Sequence, residues 1–214
     1  MWGFPFPFLN RKTKTAMTYI DVSHHQGNIN WNDVVKNDPK IEGVFIKATQ
    51  GVGYVDPAMK FNASEAKKAG LKIGYYHYAT LNSSNIVTDA RQEALFFIDT
   101  VRKAAAFDLP LVLDIEENKA DLSKFDVLTW IRTFFLELEN LGHKEYVLYS
   151  YTPFLNSNLP DNHELDNIRL WIAAYVKKDK PVLPKGWNEY WLWQYTAKGR
   201  INGIKGDVDM NKTA

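Results

Sequence analysis

Residues 111–118 read LVLDIEEN, an apolar run that meets three carboxylates, Asp114, Glu116 and Glu117. A short apolar run bounded by polar residues reads as a strand buried on both faces. Side chains two apart on a strand share a face. Leu111, Leu113 and Ile115 therefore point one way, and Val112, Asp114 and Glu116 the other. A parallel α/β barrel accommodates both faces, with helices against the outside and an interior that opens at the C-terminal strand ends. Asp114 and Glu116 then stand in the barrel mouth, and Glu117 begins the loop.

The flanking sequence repeats the theme. YIDVS, GVFIKAT (43–49), KIGYYHYA (72–79), YVLYS (146–150), LWIAAY (170–175), YWLWQYT and GDVDMN read as further strands. Helical patterns fall between the first six strands: around Trp31 to Val35, from MKFNASEAKK to Gly70, over 86–106, and from Phe125 to Leu141. The third carries Ala94, Leu95, Ile98 and Val101, and the fourth Phe125, Leu128, Ile131, Phe135, Leu138 and Leu141, all at steps that keep one face apolar. Eight strands with about five helices, the last strands lacking covering helices, predict a single TIM-like α/β barrel over residues 18–214. An open α/β sheet is the alternative fold, and the lack of a glycine-rich phosphate loop after the first strand weakens a nucleotide-binding reading.

The same parity turns Tyr19, Asp21 and Ser23 inward on the first strand, with Ile20 and Val22 outward. Near the C-terminus, DVDMN adds another inward carboxylate, Asp207 or Asp209. Carboxylates from three strands would serve either a metal site or acid–base work on a glycosidic bond. Singly, Asp114 reads as a loop cap and Asp21 as an Asx-turn residue. His24, His25 and His77 suggest zinc, but adjacent histidines on an extended segment point apart, and no metalloenzyme histidine motif occurs. Lys47 reads as an ion-pair partner for a barrel carboxylate rather than a Schiff-base lysine. Taken singly, Tyr76, Tyr78, Tyr149, Trp171, Tyr175 and Trp193 are core aromatics, though some are expected at the rim.

The chain has 214 residues, a formal charge of +1 and no cysteine, which excludes disulfides and thiol catalysis. No basic stripe points to nucleic acid, and no segment is long and apolar enough for a transmembrane helix. Aromatic residues reach 14%, which leans towards sugar rings as partners. Residues 1–17, beginning MWGFPFPFLN, place apolar residues before a basic cluster, the reverse of a signal peptide. Pro5 and Pro7 prevent a helix there, so this stretch is read as an arm or linker outside the barrel. A chain beginning at Ala16 is accordingly expected to keep its turnover per folded molecule. Strongly reduced turnover in a folded truncation would place the arm in the site.

YIDVSHHQGNINW, FIKATQGVGYVDP, GYYHYA, LVLDIEEN, LWIAAY and WLWQYTAKGRINGIKGDVDMN resemble, in order, the motifs of glycoside hydrolase family 25. Members of that family are lysozymes cleaving the β-1,4 bond between N-acetylmuramic acid and N-acetylglucosamine in peptidoglycan. The resemblance runs from about Tyr19 to Asn211. It implies Glu116 as general acid, Asp114 as its partner, and Asp21 and Asp209 as the other catalytic carboxylates, with Asp207 beside the motif. Tyr76, Tyr78, Tyr149, Trp171, Tyr175 and Gln194 are the expected substrate-binding positions, and His24 and His25 have no assigned role. It further implies peptidoglycan glycan strands as partner, no metal or organic cofactor, a monomer, and export or release to the wall. A chitinase-like hydrolase and a non-catalytic glycan-binding barrel are the competing readings. Repulsion from Asp114, aided by partial burial, is expected to raise the pKa of Glu116.

Overall fold

The computed structural model describes residues 16–38 and 40–214, so residues 1–15 of the expected arm lie outside the described residues. Strands β1 (Thr18–Val22), β2 (Ile41–Gln50), β3 (Tyr54–Val55), β4 (Lys72–Tyr78), β5 (Leu111–Asp114), β6 (Tyr146–Tyr151), β7 (Arg169–Ala173), β8 (Leu192–Gly199) and β9 (Val208–Thr213) form one sheet. Helices α1 (Trp31–Asn37), α2 (Met59–Lys68), α3 (Ile86–Val101), α4 (Lys124–Asn140) and α5 (Thr152–Asn158) intervene up to β7. The sheet order is β1-β9-β8-β7-β6-β5-β4-β2-β3, and β1 also pairs with β2, which closes an eight-stranded barrel. The extra strand, β3, folds back on the end of β2 as a short hairpin that the sequence reading passed over.

The barrel is not wholly parallel. Strand β9 runs antiparallel to both β8 and β1, which corrects the all-parallel expectation. A parallel return needs a crossover of a dozen or more residues. Only residues 200–207 separate β8 from β9, and Gly203 and Gly206 there adopt positive φ. A turn of that length can only reverse the chain.

Inward and outward parity holds along the strands. Tyr19, Phe45, Val112, Val147, Tyr149, Trp171 and Leu192 pack together inside the barrel. Ile20, Val22, Leu111, Leu113 and Ile115 pack outward against the helices. Gly74 faces the interior where a Cβ would approach the Phe45 ring to 2.8 Å, so its bareness is what admits that ring. Asn85 caps α3 and Ser123 caps α4, each accepting a backbone N–H of the first turn. Phe97 and Phe134 are fully buried between helices and barrel, contributing roughly 1.5–3 kcal/mol each. Two expected core positions, Phe125 and Leu95, are instead 68% and 39% exposed. They sit at the edge of the apolar stripe, where periodicity alone does not decide burial. Helix α3 also stops short of residue 106, because Asp108 and Leu109 must reach Ile73 to start β5 beside β4.

On the outward face of β4, His77 Nε2 lies 2.7 Å from Glu93 Oε2 of α3, and its Nδ1 lies 2.7 Å from Thr49 Oγ1. Both members of the pair are buried. Burial depresses the imidazole pKa to about 3 and raises the carboxyl to about 8, so the folded pair carries one proton throughout that interval. The unfolded chain, with values of 6.5 and 4.5, carries two protons below 4.5, one between, and none above 6.5. This pair's contribution therefore rises with pH up to about 4.5, is flat to about 6.5, and falls towards about 8. Other buried carboxylates add to the alkaline fall, so the comparison with Glu93→Gln isolates the pair. Thermal melts of that variant should lose part of the decline between pH 6.5 and 8, and an unchanged decline would exclude Glu93 as a source.

Candidate active site

Because β1, β2, β4, β5, β6, β7 and β8 all point the same way, their C-terminal ends bring Asp21, Lys47, Tyr76, Tyr78, Asp114, Tyr149, Trp171 and Gln194 to one cavity of about 370 Å³. Glu116 and Tyr175 join it from the residues just beyond β5 and β7, and Asp209 from the start of the antiparallel β9. All ten positions expected to serve catalysis or substrate binding thus line one space. Ser23, His25, Lys47, Val112 and Ala197 line it as well. Trp193 does not: Gln194 takes the inward position, so Trp193 turns out and donates its Nε1–H to the Ala174 carbonyl at 2.8 Å. Asp207 likewise stays outside, 2.8 Å from Arg200 at the surface.

The four carboxylates form two pairs. Asp21 and Asp209 face each other directly across the β1–β9 ladder, and their side chains are in hydrogen-bonding contact. Asp114 and Glu116 touch in the same way. A contacting acid pair titrates as a unit, holding one proton well above the usual carboxylate range. Burial is the leading cause for all four, and Glu116's charge is the second cause acting on Asp114. This revises the expected origin of the Glu116 shift. Burial raises it, whereas its contact with Asp114 works in the opposite direction.

The pairs differ in how they are held. Asp21 accepts from Gln194 Nε2 at 3.0 Å and from Asn211 Nδ2 at 2.7 Å. Gln194 Oε1 in turn accepts from Tyr149 and Tyr175 hydroxyls, and Asn211 Oδ1 from the Trp171 indole. Each amide is therefore oriented by aromatic donors, and Asp21 is fixed. Among the described residues, no N–H or O–H of the protein donates to the Asp114 carboxylate, and its Oδ1 is buried without a partner. A buried acceptor left in that state is one that a donor on a bound ligand would satisfy. The Tyr151 hydroxyl anchors the Glu116 backbone carbonyl at 3.0 Å.

Asn211 escaped the sequence reading. Its signal was parity, since it lies two residues beyond Asp209 on the same strand. Lys47 departs from its expected ion pair. Its Nζ is held by Gln50 Oε1 at 2.7 Å and lies 4.8 Å from the Tyr78 ring centroid. The Asp114 and Glu116 charges act on it through space, against a burial that lowers its pKa. The histidines also differ from expectation. His24–Gln26 is a 3-10 turn capped by Ser23, and the two imidazole centroids lie 4.0 Å apart, tilted by 38°, instead of pointing apart. His24 Nδ1 is tied to the buried Asp56 carboxylate at 2.7 Å, while His25 faces the cavity.

Against known proteins, the family model of glycosyl hydrolases family 25 matches residues 20–204. The chain is 34% identical over 199 residues to lysozyme M1 of Streptomyces globisporus, covering 90% of this chain and 66% of that protein. It is also 34% identical over 196 residues to the autolytic lysozyme of Clostridium acetobutylicum, covering 92% and 55% respectively. The chain thus spans only part of the length of these two relatives. The crystal structure of a bacterial lysozyme from Streptomyces coelicolor superposes with a TM-score of 0.80 at 31% identity, covering 93% of this chain and 92% of that one.

Proposed function

Since the chain belongs to glycosyl hydrolases family 25, we propose that it is a lysozyme hydrolysing the β-1,4 bond between N-acetylmuramic acid and N-acetylglucosamine in bacterial peptidoglycan. The observation that carries this reading is the pairing of four acids in one cavity among oriented amides and aromatic side chains. A glycosidic bond needs a protonated acid near neutrality, and a buried pair sharing a proton supplies one. Glu116 is the general acid: it protonates the leaving glycosidic oxygen as the bond to the anomeric carbon breaks.

The contrast between the pairs assigns the remaining roles. Asp114, which no protein donor satisfies, accepts the N–H of the substrate's 2-acetamido group and turns its carbonyl oxygen towards the anomeric carbon. That oxygen forms the new bond as the leaving group departs, and water opens the resulting ring, giving retention of configuration. Asp21 and Asp209, fixed across the cavity, stabilise positive charge developing on the sugar. Tyr76, Tyr78, Tyr149, Trp171, Tyr175 and Gln194 shape the sugar site. Every group in this scheme comes from one chain, so a monomer suffices, and the substrate places its action at the cell wall after export or release.

A zymogram on purified peptidoglycan, followed by mass spectrometry of the fragments, tests the reading. Muropeptides with N-acetylmuramic acid at the new reducing end are expected. Cleavage of chitin oligomers in preference to peptidoglycan would favour a chitinase-like activity instead, and binding without cleavage would leave only a glycan-binding barrel.

A further inference from the structure

A second cavity, of about 600 Å³, lies beside the catalytic one at the C-terminal ends of β2 and β4. Its lining includes Gln50, Tyr54, Asn82, Asp89, Gln92 and Glu93. Only one layer of side chains separates the two spaces. Gln50 is the register partner of Tyr78 across β2 and β4. Lys47 Nζ bonds Gln50 Oε1 and lies 4.8 Å from the Tyr78 ring centroid and 5.9 Å from that of Tyr54. Lys47 and Tyr78 face the catalytic cavity, while Gln50 and Tyr54 face the second. The second cavity thus lies on the Lys47 side of the one that holds Glu116.

The lining states what it accepts. No lysine or arginine is present in it. Glu93 is engaged with His77 and the Thr80 N–H, and Asp89 Oδ2 with the Trp130 indole and the Asn82 N–H. Gln50 and Asn82 each have their side-chain oxygen occupied, by Lys47 and by the Ser84 N–H, which leaves their NH₂ groups as donors. Gln92 is exposed on α3 and adds a further amide. Amide donors beside a tyrosine ring, with acceptors but no cation, suit an acetamido carbonyl and sugar hydroxyls. The carboxylates of a stem peptide would meet Asp89 with no positive partner.

We propose that this cavity is a distal saccharide subsite, holding an uncharged N-acetylated hexosamine unit of the same glycan strand that is cut at Glu116. It rests on the lysozyme reading above and adds to it a dependence on strand length. The test uses the full chain and peptide-free glycan strands of four and eight sugars. The unsubstituted protein should show kcat/KM about tenfold higher on the octasaccharide, the effect of one modest subsite. Gln92→Trp, placed on an exposed helix position so that its ring fills the cavity, should abolish that increase and leave tetrasaccharide turnover unchanged. Calorimetric titration of Glu116→Gln with the octasaccharide, with and without Gln92→Trp, should show the same tenfold difference in Kd. An identical length profile in both proteins, or an increase seen only on peptide-bearing strands, would overturn the subsite. Failure to cleave either length, with the tenfold binding difference intact, would instead overturn the lysozyme reading and retain the sugar site.

Discussion

Glu116→Gln should fold normally and lose lytic turnover by roughly 10²- to 10⁴-fold, the usual effect of removing a general acid. Glutamine keeps the shape and a neutral side chain, but it has no acidic proton for the leaving oxygen. Its backbone carbonyl is held by Tyr151 and its side chain lies against Asp114, so the substitution leaves the backbone anchor in place. The pH profile carries a second readout. Burial holds the Glu116 pKa up, so the alkaline limb of kcat/KM in the unsubstituted protein reports loss of the proton from the Asp114–Glu116 pair. The residual activity of the variant should lack that limb. Rates on purified peptidoglycan across pH, with circular dichroism to confirm folding, decide the matter. Near-normal turnover in a folded variant would remove Glu116 from the role of acid.

Asp114→Asn should lower turnover by at least about 10²-fold, and it should also stabilise the protein. The loss follows from the carboxylate's work on the substrate: an amide neither carries the negative charge nor presents two acceptor oxygens. The gain follows from linkage. Burial, and then the charge of Glu116, hold the Asp114 pKa well above its ordinary 3.8. The Asp114–Glu116 pair thus retains one proton that the unfolded chain releases, and stability falls as pH rises above the ordinary carboxylate range. Asparagine removes one of the two buried acids and leaves only the burial of Glu116 to sustain that fall. A higher melting temperature than the unsubstituted protein is therefore expected near pH 7, shrinking towards pH 4. A variant that is both inactive and less stable at neutral pH would show that Asp114 holds the fold together and does not serve the reaction alone.

The barrel and most of its mouth were legible because a strand's parity is binary. Once LVLDIEEN is taken as a strand facing helices on one side, Val112, Asp114 and Glu116 have one direction left. The same count placed Asp21 and Tyr19 correctly inside. Helices carry a weaker message, since a stripe has edges: Phe125 and Leu95 keep the spacing of core residues yet meet solvent. The direction of β9 was present in the length of residues 200–207, a constraint on chain reversal that composition and periodicity do not express. Hydrogen-bond partners were the least accessible. Asn211 is a neutral amide beside an acid motif, and only the folded ladder brings it 2.7 Å from Asp21. Lys47 illustrates the same limit, because a lysine among carboxylates suggests an ion pair until Gln50 and Tyr78 are seen to hold it.

Strand β9 is made after every other strand of the barrel. Until it emerges from the ribosome, β1 and β8 are open edges, and the barrel has a seam running its full height. The same strand supplies Asp209 and Asn211, the latter 190 residues from the Asp21 it holds. Sealing the seam and completing the second acid pair thus depend on the same contacts between the first and last strands of the barrel. A nascent polypeptide already carries Asp114 and Glu116 but lacks Asp209 and Asn211, so the proposed site is incomplete until β9 pairs.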